Sequence, residues 1–318
     1  MTTEFELIDR YFSRPARDAT LGVGDDAALV EPAPGHELVV TTDTIVSGIH
    51  FLPDAEPRFV GHKALAVNLS DLAAMGARPR WALLAITVPK ADEAWLSAFA
   101  EGFYDLARRH DVTLIGGDTT RGPLAITVTA LGEVASGCAL RRDGARAGDE
   151  LWVSGQIGSA ALALRHVRGD VRLKGNGLEA CMARFERPIP RIELGKALVN
   201  VASSAIDVSD GLVADAGHIC TSSDVGIEIS YANVPSISDV THLKRDQLVR
   251  EALLAGGDDY ELLFTVPAGE SLQMDSISAR VGLALTRIGC VVEGNGVRVV
   301  DESGEELAVD IGGYEHFA

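Results

Sequence analysis

Aspartates that stand beside glycine, serine or threonine are the residues of this chain that are best suited to metal binding or catalysis. They recur in six short motifs: Gly24-Asp25-Asp26, Thr41-Thr42-Asp43-Thr44, Asn68-Leu69-Ser70-Asp71, Gly116-Gly117-Asp118-Thr119, Asp207-Val208-Ser209-Asp210-Gly211 and Gly256-Gly257-Asp258-Asp259. Any one of these motifs could be an ordinary turn, but six of them, several in apolar surroundings, favour a functional set. Carboxylates that converge raise one another's pKa values unless a cation lies among them. Because Mg²⁺ binds carboxylates together with water and substrate phosphates, the motifs predict Mg²⁺-assisted phosphate chemistry.

Two of these aspartates directly follow stretches that are predicted to be strands. The first strand is predicted over Leu38–Thr42 and leads into Asp43. The second is predicted over Val112–Ile115 and leads towards Asp118. Ligands of α/β sheets gather at the carboxyl ends of strands, so these positions suit a binding site.

Another pair of polar residues lies on a predicted helix. The apolar spacing indicates a helix over His62–Met75, and Asn68 and Asp71 are three residues apart on one face of it. Both interrupt an otherwise apolar helix, where an unpartnered carboxylate is costly. We therefore expect Asp71 to have a partner or a ligand.

The remaining patterning alternates helices with strands and predicts an α/β or α+β protein of two domains. Further strands are predicted over Trp81–Val88, Leu124–Glu133, Glu150–Ser154, Gly226–Ile229, Glu261–Val266, Thr286–Val292 and Val297–Val300. Further helices are predicted over Glu93–His110, Ser159–Arg168, Leu178–Phe185, Ile192–Ala202 and Gly211–Ser222. The polar, glycine-containing stretch 141–149 is predicted to link an N-terminal domain, residues 1–140, to a C-terminal domain, residues 150–318.

Composition excludes several classes of partner. The chain has 318 residues, with 28 basic against 46 acidic side chains and a net charge of −18. Such a balance argues against binding to the nucleic-acid backbone, which needs a basic face. No apolar run approaches the roughly 20 residues of a membrane helix, and the first ten residues lack the pattern of a signal peptide. We expect a cytoplasmic enzyme with reduced cysteines and no membrane partner.

Other motifs for phosphate or acyl chemistry do not account for this sequence. It contains no Walker-type GxxxxGK[ST] loop, no protein-kinase signature set and no GxSxG elbow. The run Gly22-x-Gly24-x-x-Ala27 is similar to a dinucleotide fingerprint, but two aspartates inside it would repel a pyrophosphate.

The motifs, in their order along the chain, resemble those of the thiamine-monophosphate kinase family in the aminoimidazole-ribonucleotide-synthetase-like ATP-binding superfamily. The resemblance runs nearly from end to end. Beyond the six aspartate motifs it includes Gly48-Ile49-His50-Phe51, Leu72-Ala73-Ala74-Met75-Gly76-Ala77, Asp258-Asp259-Tyr260-Glu261-Leu262 and Gly313-Tyr314-Glu315-His316-Phe317. It implies an N-terminal α/β domain for Mg²⁺-ATP binding and dimerisation, a C-terminal α+β domain whose tail contacts substrate, and a homodimer.

The resemblance also implies roles for individual residues. Several Mg²⁺ ions would be bound by Asp26, Thr41 through its backbone, Thr42, Asp43, Asp71, Asp118, Asp207 and Asp210. Of these, Asp43, Asp71, Asp118 and Asp210 would be catalytic. The nucleotide would contact Gly117, Asp118, Arg142 and Ser209, and thiamine monophosphate would contact His50, Asp258 and Tyr314. The family often has Glu at the position of Asp258, so the side chain here is one methylene shorter.

The implied reaction is in-line transfer of the γ-phosphoryl group of ATP to thiamine monophosphate, which gives thiamine diphosphate and ADP, the last step of thiamine diphosphate biosynthesis. The attacking phosphate oxygen is largely ionised at neutral pH, so the reaction needs no strong general base. Two alternatives stay open. One is an aminoimidazole-ribonucleotide-synthetase-like ligase, which the motifs around His50 and Tyr314 disfavour. The other is a non-catalytic Mg²⁺ or nucleotide sensor, which would lack the acceptor-side residues.

Overall fold

Two separate β-sheets organise the chain, one in each of two compact units. The computed structural model describes residues 3–16, 18–241, 243–244 and 246–308. One unit comprises the residues up to Leu72 together with Ala77–Gly137, and the other comprises Ala73–Gly76 together with the residues from Cys138 onward. The linker predicted at residues 141–149 begins a few residues after this division.

The described residues form the following elements. The strands are β1 (His36–Val46), β2 (Arg78–Val88), β3 (Thr113–Arg121), β4 (Ala125–Ala135), β5 (Glu150–Ser154), β6 (Ser204–Asp207), β7 (Gly226–Ser230), β8 (Leu262–Val266), β9 (Leu285–Val292) and β10 (Gly296–Val300). The helices are α1 (Glu4–Leu7), α2 (Pro57–Ala74), α3 (Glu93–Arg109), α4 (Ser159–Arg168), α5 (Gly175–Glu186), α6 (Ile192–Leu198), α7 (Leu212–Ser223), α8 (Ser238–Thr241), α9 (Gln247–Ala255) and α10 (Leu272–Val281). A π-turn follows α1 over Ile8–Phe12, and a 3₁₀ turn follows β7 over Tyr231–Asn233.

The N-terminal unit contains a four-stranded sheet in the order β1-β4-β2-β3. Strands β2 and β3 are parallel and are connected through α3, whereas β4 runs antiparallel to both of its neighbours, β1 and β2. Helix α3 is amphipathic, with Leu96, Phe99 and Phe103 fully buried on one face, and burial of such side chains stabilises the unit. Helix α2 is buried along most of its length, including Asn68.

The opposite face of this sheet, which we call the open face, carries threonines and small apolar residues. Three cross-strand threonine pairs lie on it: Thr42 with Thr129, Thr44 with Thr127, and Thr87 with Thr120. Val40 on the same face is 59% exposed. The pairing register places Val40, Thr42 and Thr44 on one side of β1, because alternate residues of a strand point to the same face.

The C-terminal unit contains a six-stranded sheet in the order β10-β7-β9-β5-β8-β6. Helix α7 packs against the sheet, and α4 packs against α5 and α9. Strand β8 is buried at every position, as expected for a central strand with both faces covered. The expected mixed helix-and-sheet architecture with two domains is confirmed. In the part of the chain that the structure describes, no helix combines the length and the apolar character that crossing a membrane requires.

Candidate active site

Strand β1 and helix α2 bring the first group of predicted ligands together. The hydroxyl of Thr41 donates a hydrogen bond to Asp71 Oδ2 over 2.5 Å. The backbone N–H of Asp43 donates to Asn68 Oδ1 over 3.0 Å, and the Asn68 amide is oriented by its own donation to the carbonyl of Ala64. Asn68 and Asp71 therefore both face β1, which explains why these two residues interrupt an otherwise apolar stretch of α2.

This group offers the donor chemistry that Mg²⁺ prefers. Its side chains are two carboxylates, Asp43 and Asp71, and one hydroxyl, Thr41, all of them oxygen ligands on half-buried residues. No nitrogen or sulfur ligand belongs to the predicted set, which disfavours a zinc or copper site. The residues present therefore fit a hard divalent cation.

Asp26 lies in a loop that is closed by antiparallel pairing of Leu21 with Leu29. Its backbone N–H donates to the carboxylate of Asp25 over 2.8 Å, and both aspartates are exposed. The loop presents the second aspartate of the motif to solvent while the first one stabilises the turn.

Asp118 lies at the far edge of the same sheet. The strand order separates β1 from β3 by three inter-strand spacings, which amounts to about 14 Å. The register also pairs Asp118 with Ala85, in the row that contains Thr127 and Thr44 of the open face. Asp43 lies one row away, on the face that α2 covers. Within one chain, the structure does not bring Asp118 to the carboxylates of Asp43 and Asp71.

Gly117, beside Asp118, is required by the backbone. Its φ is +153°, and a Cβ atom there would lie 1.8 Å from the carbonyl oxygen of Leu84. Strands β2 and β3 therefore approach each other too closely for any side chain at this position.

His50 lies in the turn that follows β1. Its Nδ1 accepts a hydrogen bond from the backbone N–H of Val46 over 3.0 Å, and its carbonyl oxygen accepts one from the buried Lys63 over 3.0 Å. In this geometry a neutral imidazole carries its proton on Nε2. The contacts fix both the backbone and the ring of His50.

In the C-terminal unit, the predicted nucleotide and acceptor residues lie on two segments that are hydrogen-bonded to each other. Asp258 donates from its backbone N–H to the Ser209 carbonyl, and Tyr260 donates likewise to Val208, both over 2.8 Å. Val208 in turn donates to the Glu261 carbonyl over 2.8 Å. We call residues 207–211 the serine loop and residues 256–261 the acidic segment. The structure thus brings Ser209 and Asp258 next to each other.

The acidic segment alternates between residues that anchor it and residues that it presents. Asp259 is buried and accepts from the backbone N–H groups of Gly158, over 2.6 Å, and Ala160, over 3.5 Å, at the beginning of α4. Burial raises the pKa of Asp259 well above its ordinary value, and the nearby charges of Glu261 and Asp258 raise it further. Asp259 therefore caps α4, whose own N-cap, Gly158, has no side chain to do so.

Glu261 is the second anchor. Its carboxylate accepts from Arg191 Nε over 2.7 Å and from Ser154 Oγ over 2.5 Å, and it pairs a second time with the Arg191 guanidinium. Between the two anchors, Tyr260 donates from its hydroxyl to Asp258 Oδ1 over 3.0 Å. Asp258 and Tyr260 both have positive φ values, 70° and 51°. Such strain in non-glycine residues is typical of functional segments.

The serine loop is fixed by a residue that the sequence analysis missed. Backbone N–H groups of Ser209, Asp210 and Gly211 all donate to one oxygen, Oδ2 of Asp215, over 3.0, 3.1 and 3.2 Å. Burial, and after it the charge of Asp210, raises the pKa of Asp215 to about 7. A signal was present in the sequence, because a carboxylate in the first turn of a helix often reaches back to the preceding N–H groups.

The other predicted residues of this unit are placed as follows. Asp207 is buried at the end of β6. Arg142 is exposed, and its carbonyl oxygen accepts a hydrogen bond from Ser223 at the end of α7. Asp210, Asp215 and the exposed His218 have ligand atoms within 4.8 Å of one another. Tyr314 lies outside the described residues.

Comparison with known proteins establishes the class to which this protein belongs. The family model "AIR synthase related protein, N-terminal domain" matches residues 24–134, and the corresponding C-terminal domain matches residues 146–302. Hydrogenase maturation protein HypE of Escherichia coli shares this fold, with a TM-score of 0.80 at 21% identity. The chain is therefore an AIR synthase related protein with two domains.

Closer relatives define the family. The thiamine-monophosphate kinase of Escherichia coli K12 is 44% identical over 320 residues, 99% of this chain and 98% of that one. The Bacillus subtilis enzyme of the same name is 36% identical over 99% of both chains. The crystal structure of thiamine-monophosphate kinase from Stenotrophomonas maltophilia K279a superposes with a TM-score of 0.85 at 45% identity, covering 95% of this chain and 96% of that one. This chain belongs to the thiamine-monophosphate kinase family.

A further structure carries ligands. It is described as AaThiL complexed with AMPPCP and TMP, and it matches with a TM-score of 0.77 at 32% identity over 99% of this chain and 97% of that chain.

Proposed function

We propose that this chain transfers the γ-phosphoryl group of ATP to the phosphate of thiamine monophosphate, giving thiamine diphosphate and ADP. The observation that carries the proposal is the 2.8 Å hydrogen bond between Asp258 and Ser209. It places the residue expected to contact the acceptor beside the residue expected to contact the nucleotide. The full-length relatives named as thiamine-monophosphate kinases, and the relative complexed with AMPPCP and TMP, identify the acceptor.

Besides the two substrates, this reaction requires a divalent metal, and the aspartate motifs are suited to bind one. Mg²⁺, when bound, would neutralise and align the two phosphate groups. We propose that Asp43 and Asp71, with Thr41, Thr42 and Asp26, hold it in the N-terminal unit, and that Asp207 and Asp210 do so in the C-terminal unit. Two contacts between β1 and α2 support this proposal: Thr41 donates to the Asp71 carboxylate, and the backbone N–H of Asp43 donates to Asn68.

The side chains and backbone of the protein would contribute mainly by positioning the two substrates. The acceptor phosphate is already a nucleophile at neutral pH, so the protein needs to align it rather than deprotonate it. The serine loop and the acidic segment are joined by backbone hydrogen bonds, which fixes the spacing between their binding groups. Arg142 and Gly117 are proposed to contact the nucleotide, and His50 and Tyr314 the acceptor.

A direct assay tests the proposal. Purified protein is mixed with Mg²⁺, ATP and thiamine monophosphate, and the products are separated by chromatography. We expect thiamine diphosphate and ADP in equal amounts, and neither of them in EDTA or with unphosphorylated thiamine. Asp71→Asn should lower the rate by about 100-fold or more, because the loss of a charged metal ligand weakens electrostatic stabilisation of the transition state.

Asp224→Asn provides the matched control for charge. Asp224 is an exposed residue at the C-terminal end of α7, in a left-handed conformation that asparagine accepts. The control should retain wild-type activity. Absence of thiamine diphosphate from folded protein that binds ATP would contradict the acceptor assignment, and formylglycinamidine ribonucleotide would then be tested as the acceptor.

We also propose that the chain forms a homodimer through the open face, in the cytoplasm, where ATP is supplied. Apart from Asp118 at the β3 edge, the rows of the open face that run from Val40 to Val46 of β1 carry no charged side chain, in a protein of net charge −18. Depletion of charge is typical of interface cores. Because β1 and β3 are the two edge strands of the sheet, a second copy could also bring its Asp118 to the β1 edge of the first, which Asp118 of the same chain does not approach. The dimer would then complete the group of predicted ligands in the N-terminal unit.

Two experiments test the dimer. Val40→Arg should convert the dimer to a monomer in light scattering, whereas Leu272→Arg, at a residue 85% exposed in the other unit, should leave it dimeric. Co-expressed Asp43→Asn and Asp118→Asn subunits should recover roughly a quarter of wild-type activity, because half of the dimers are mixed and each mixed dimer holds one intact site. A monomeric wild type would contradict the first expectation, and a mixture as inactive as its parents would contradict the second.

A further inference from the structure

The N-terminal end of α7 carries a cluster of N–H groups that usually binds an anion from outside the protein. Backbone N–H groups that converge before a helix, together with the helix dipole, form a ready phosphate site. Here the three donors, from Ser209, Asp210 and Gly211, are all taken by Oδ2 of Asp215. Asp215 is 2% exposed, so water does not compete for its carboxylate.

We propose that Asp215 is a positioning residue, which holds the serine loop in the one conformation that presents Ser209 and Asp210 to nucleotide and metal. The proposal rests on the proposed function for the roles of Ser209 and Asp210. It adds a residue that touches neither substrate and acts through the backbone. The Asp215 carboxylate also occupies the cluster of backbone N–H groups, so the phosphates of ATP do not bind to the N-terminus of α7.

The alternative role for Asp215 is a metal ligand, because its carboxylate lies within 4.8 Å of ligand atoms of Asp210 and His218. The hydrogen bonds favour the positioning role. Oδ2 accepts three N–H bonds and has no lone pair left for a cation, so a metal could be bound only through Oδ1, which accepts none of these bonds. Loss of this acceptor would also leave one buried N–H group, that of Gly211, and two half-buried ones without their partner, which is costly.

The serine loop makes further backbone hydrogen bonds, but these involve groups other than the three N–H groups that Asp215 holds. Val208 and the carbonyl of Ser209 are held by the acidic segment, whereas the N–H groups of 209–211 are held by Asp215. Gly211 has a φ of +128°, so the loop turns sharply just where these bonds are made. Without Asp215 we expect this turn to sample other conformations.

Two variants separate hydrogen bonding from charge. Asp215→Asn keeps an acceptor oxygen at the same distance from the backbone and removes the charge. Asp215→Ala removes the acceptor altogether. Asp224→Asn, at the opposite end of the same helix, is the control for loss of one acidic charge.

The first readout needs neither substrate nor metal. Hydrogen–deuterium exchange of the peptide covering 207–212 is followed in EDTA. Asp215→Ala should speed exchange at residues 209–211 by about tenfold or more, because it removes the acceptor of all three hydrogen bonds that protect these N–H groups. Asp215→Asn and Asp224→Asn should stay within about threefold of wild type.

The second readout is steady-state kinetics. Asp215→Ala should lower kcat by about tenfold or more and raise the Mg²⁺ concentration for half-maximal rate, while KM for thiamine monophosphate changes little. Asp215→Asn should retain most of the activity. Exchange and kcat of Asp215→Ala within twofold of wild type would overturn the proposal. So would an Asp215→Asn variant as impaired as Asp215→Ala, since charge would then be the operative property.

Should Asp215→Ala fail to fold, Asp215→Glu takes its place, because it keeps the charge and moves the carboxylate by one methylene. Faster exchange at 209–211 is again expected, and wild-type exchange there would overturn the proposal. A wild-type protein that makes no thiamine diphosphate would contradict the proposed function, and the exchange experiment would still decide whether Asp215 fixes the loop.

Discussion

Removing Arg191 should destabilise the protein far more than removing an arginine of a surface ion pair. Glu261 and Arg191 form a pair with side chains only 2% and 9% exposed. Arg191→Leu leaves a buried carboxylate that loses its cationic partner and keeps the hydrogen bond from Ser154. Loss of one partner from a buried pair costs about 3–5 kcal/mol. That is a large fraction of the roughly 5–15 kcal/mol by which a typical domain is stable.

Arg165 and Glu251 supply the comparison. They make one contact of 3.0 Å with side chains 26% and 40% exposed. Water screens such a pair, so Arg165→Leu should cost about 0.2–1 kcal/mol. The two substitutions remove the same atoms from the same unit, and the predicted difference comes from burial and from the second contact between Arg191 and Glu261.

The assay is urea unfolding, without nucleotide, of wild type, both single variants and Arg191→Leu/Glu261→Leu. The double variant removes the unpaired charge along with its partner, and should recover much of the stability lost by Arg191→Leu. An Arg191→Leu variant no less stable than Arg165→Leu would refute the reasoning. Failure of the double variant to recover would show that packing, rather than the uncompensated charge of Glu261, causes the loss.

Three further predictions concern single groups. Tyr260→Phe removes only the hydroxyl that orients Asp258, so KM for thiamine monophosphate should rise by about three- to tenfold with KM for ATP unchanged; equal changes in both constants would contradict this. Gly117→Ala should yield largely insoluble or unfolded protein, measured as soluble yield, because its Cβ collides with the Leu84 carbonyl. The raised pKa of Asp259 means that the folded state keeps a proton that the unfolded state releases, so the free energy of unfolding should fall as pH rises above the ordinary aspartate range. Asp259→Asn should flatten this dependence between pH 5 and pH 8 in urea unfolding, and an unchanged slope would argue against Asp259 as its source.

Elements with strong hydrophobic periodicity or clear boundaries were predictable from the sequence. The predicted strand Glu150–Ser154 and helix Ser159–Arg168 have the same bounds in the structure. The predicted helix Ile192–Ala202 is shorter, ending at Leu198. Helices α9 and α10 were not predicted. The sequence does carry a signal for α9, because Val249, Ala252 and Leu253 repeat at helical spacing and are buried. Half of the residues of α10 are polar, so its helical period is weaker.

The residues of the candidate site could be predicted from sequence motifs, but their positions relative to one another could not. The hydrogen bonds from Thr41 and Asp43 to α2 agree with the expectation that Asn68 and Asp71 share a face and have partners. The separation of Asp118 from Asp43 follows from the strand order, which no local pattern encodes. Chain order would have placed β3 beside β4, whereas β4 lies between β1 and β2. Long-range pairing therefore decides which carboxylates meet.

The two helix N-termini beside the serine loop and the acidic segment are both occupied by internal carboxylates. Asp215 fills the terminus of α7, and Asp259 fills that of α4. Walker-type enzymes bind phosphates directly at such a terminus, whereas here the same amides are already used to hold the backbone. A nucleotide approaching these segments meets the carboxylates of Asp210 and Asp258, and cations must offset the repulsion between like charges.

Removal of divalent metal should therefore abolish nucleotide binding itself, and not only turnover. We expect calorimetric titration of wild type with ATP to give a clear binding isotherm in Mg²⁺ and an affinity at least about 100-fold weaker in EDTA, since roughly 3 kcal/mol of charge compensation is lost. A Walker-type enzyme that contacts phosphates through backbone N–H groups should lose less. ATP binding of equal strength in EDTA would mean that the protein offers another anion site, and would refute the assignment of both helix termini to internal carboxylates.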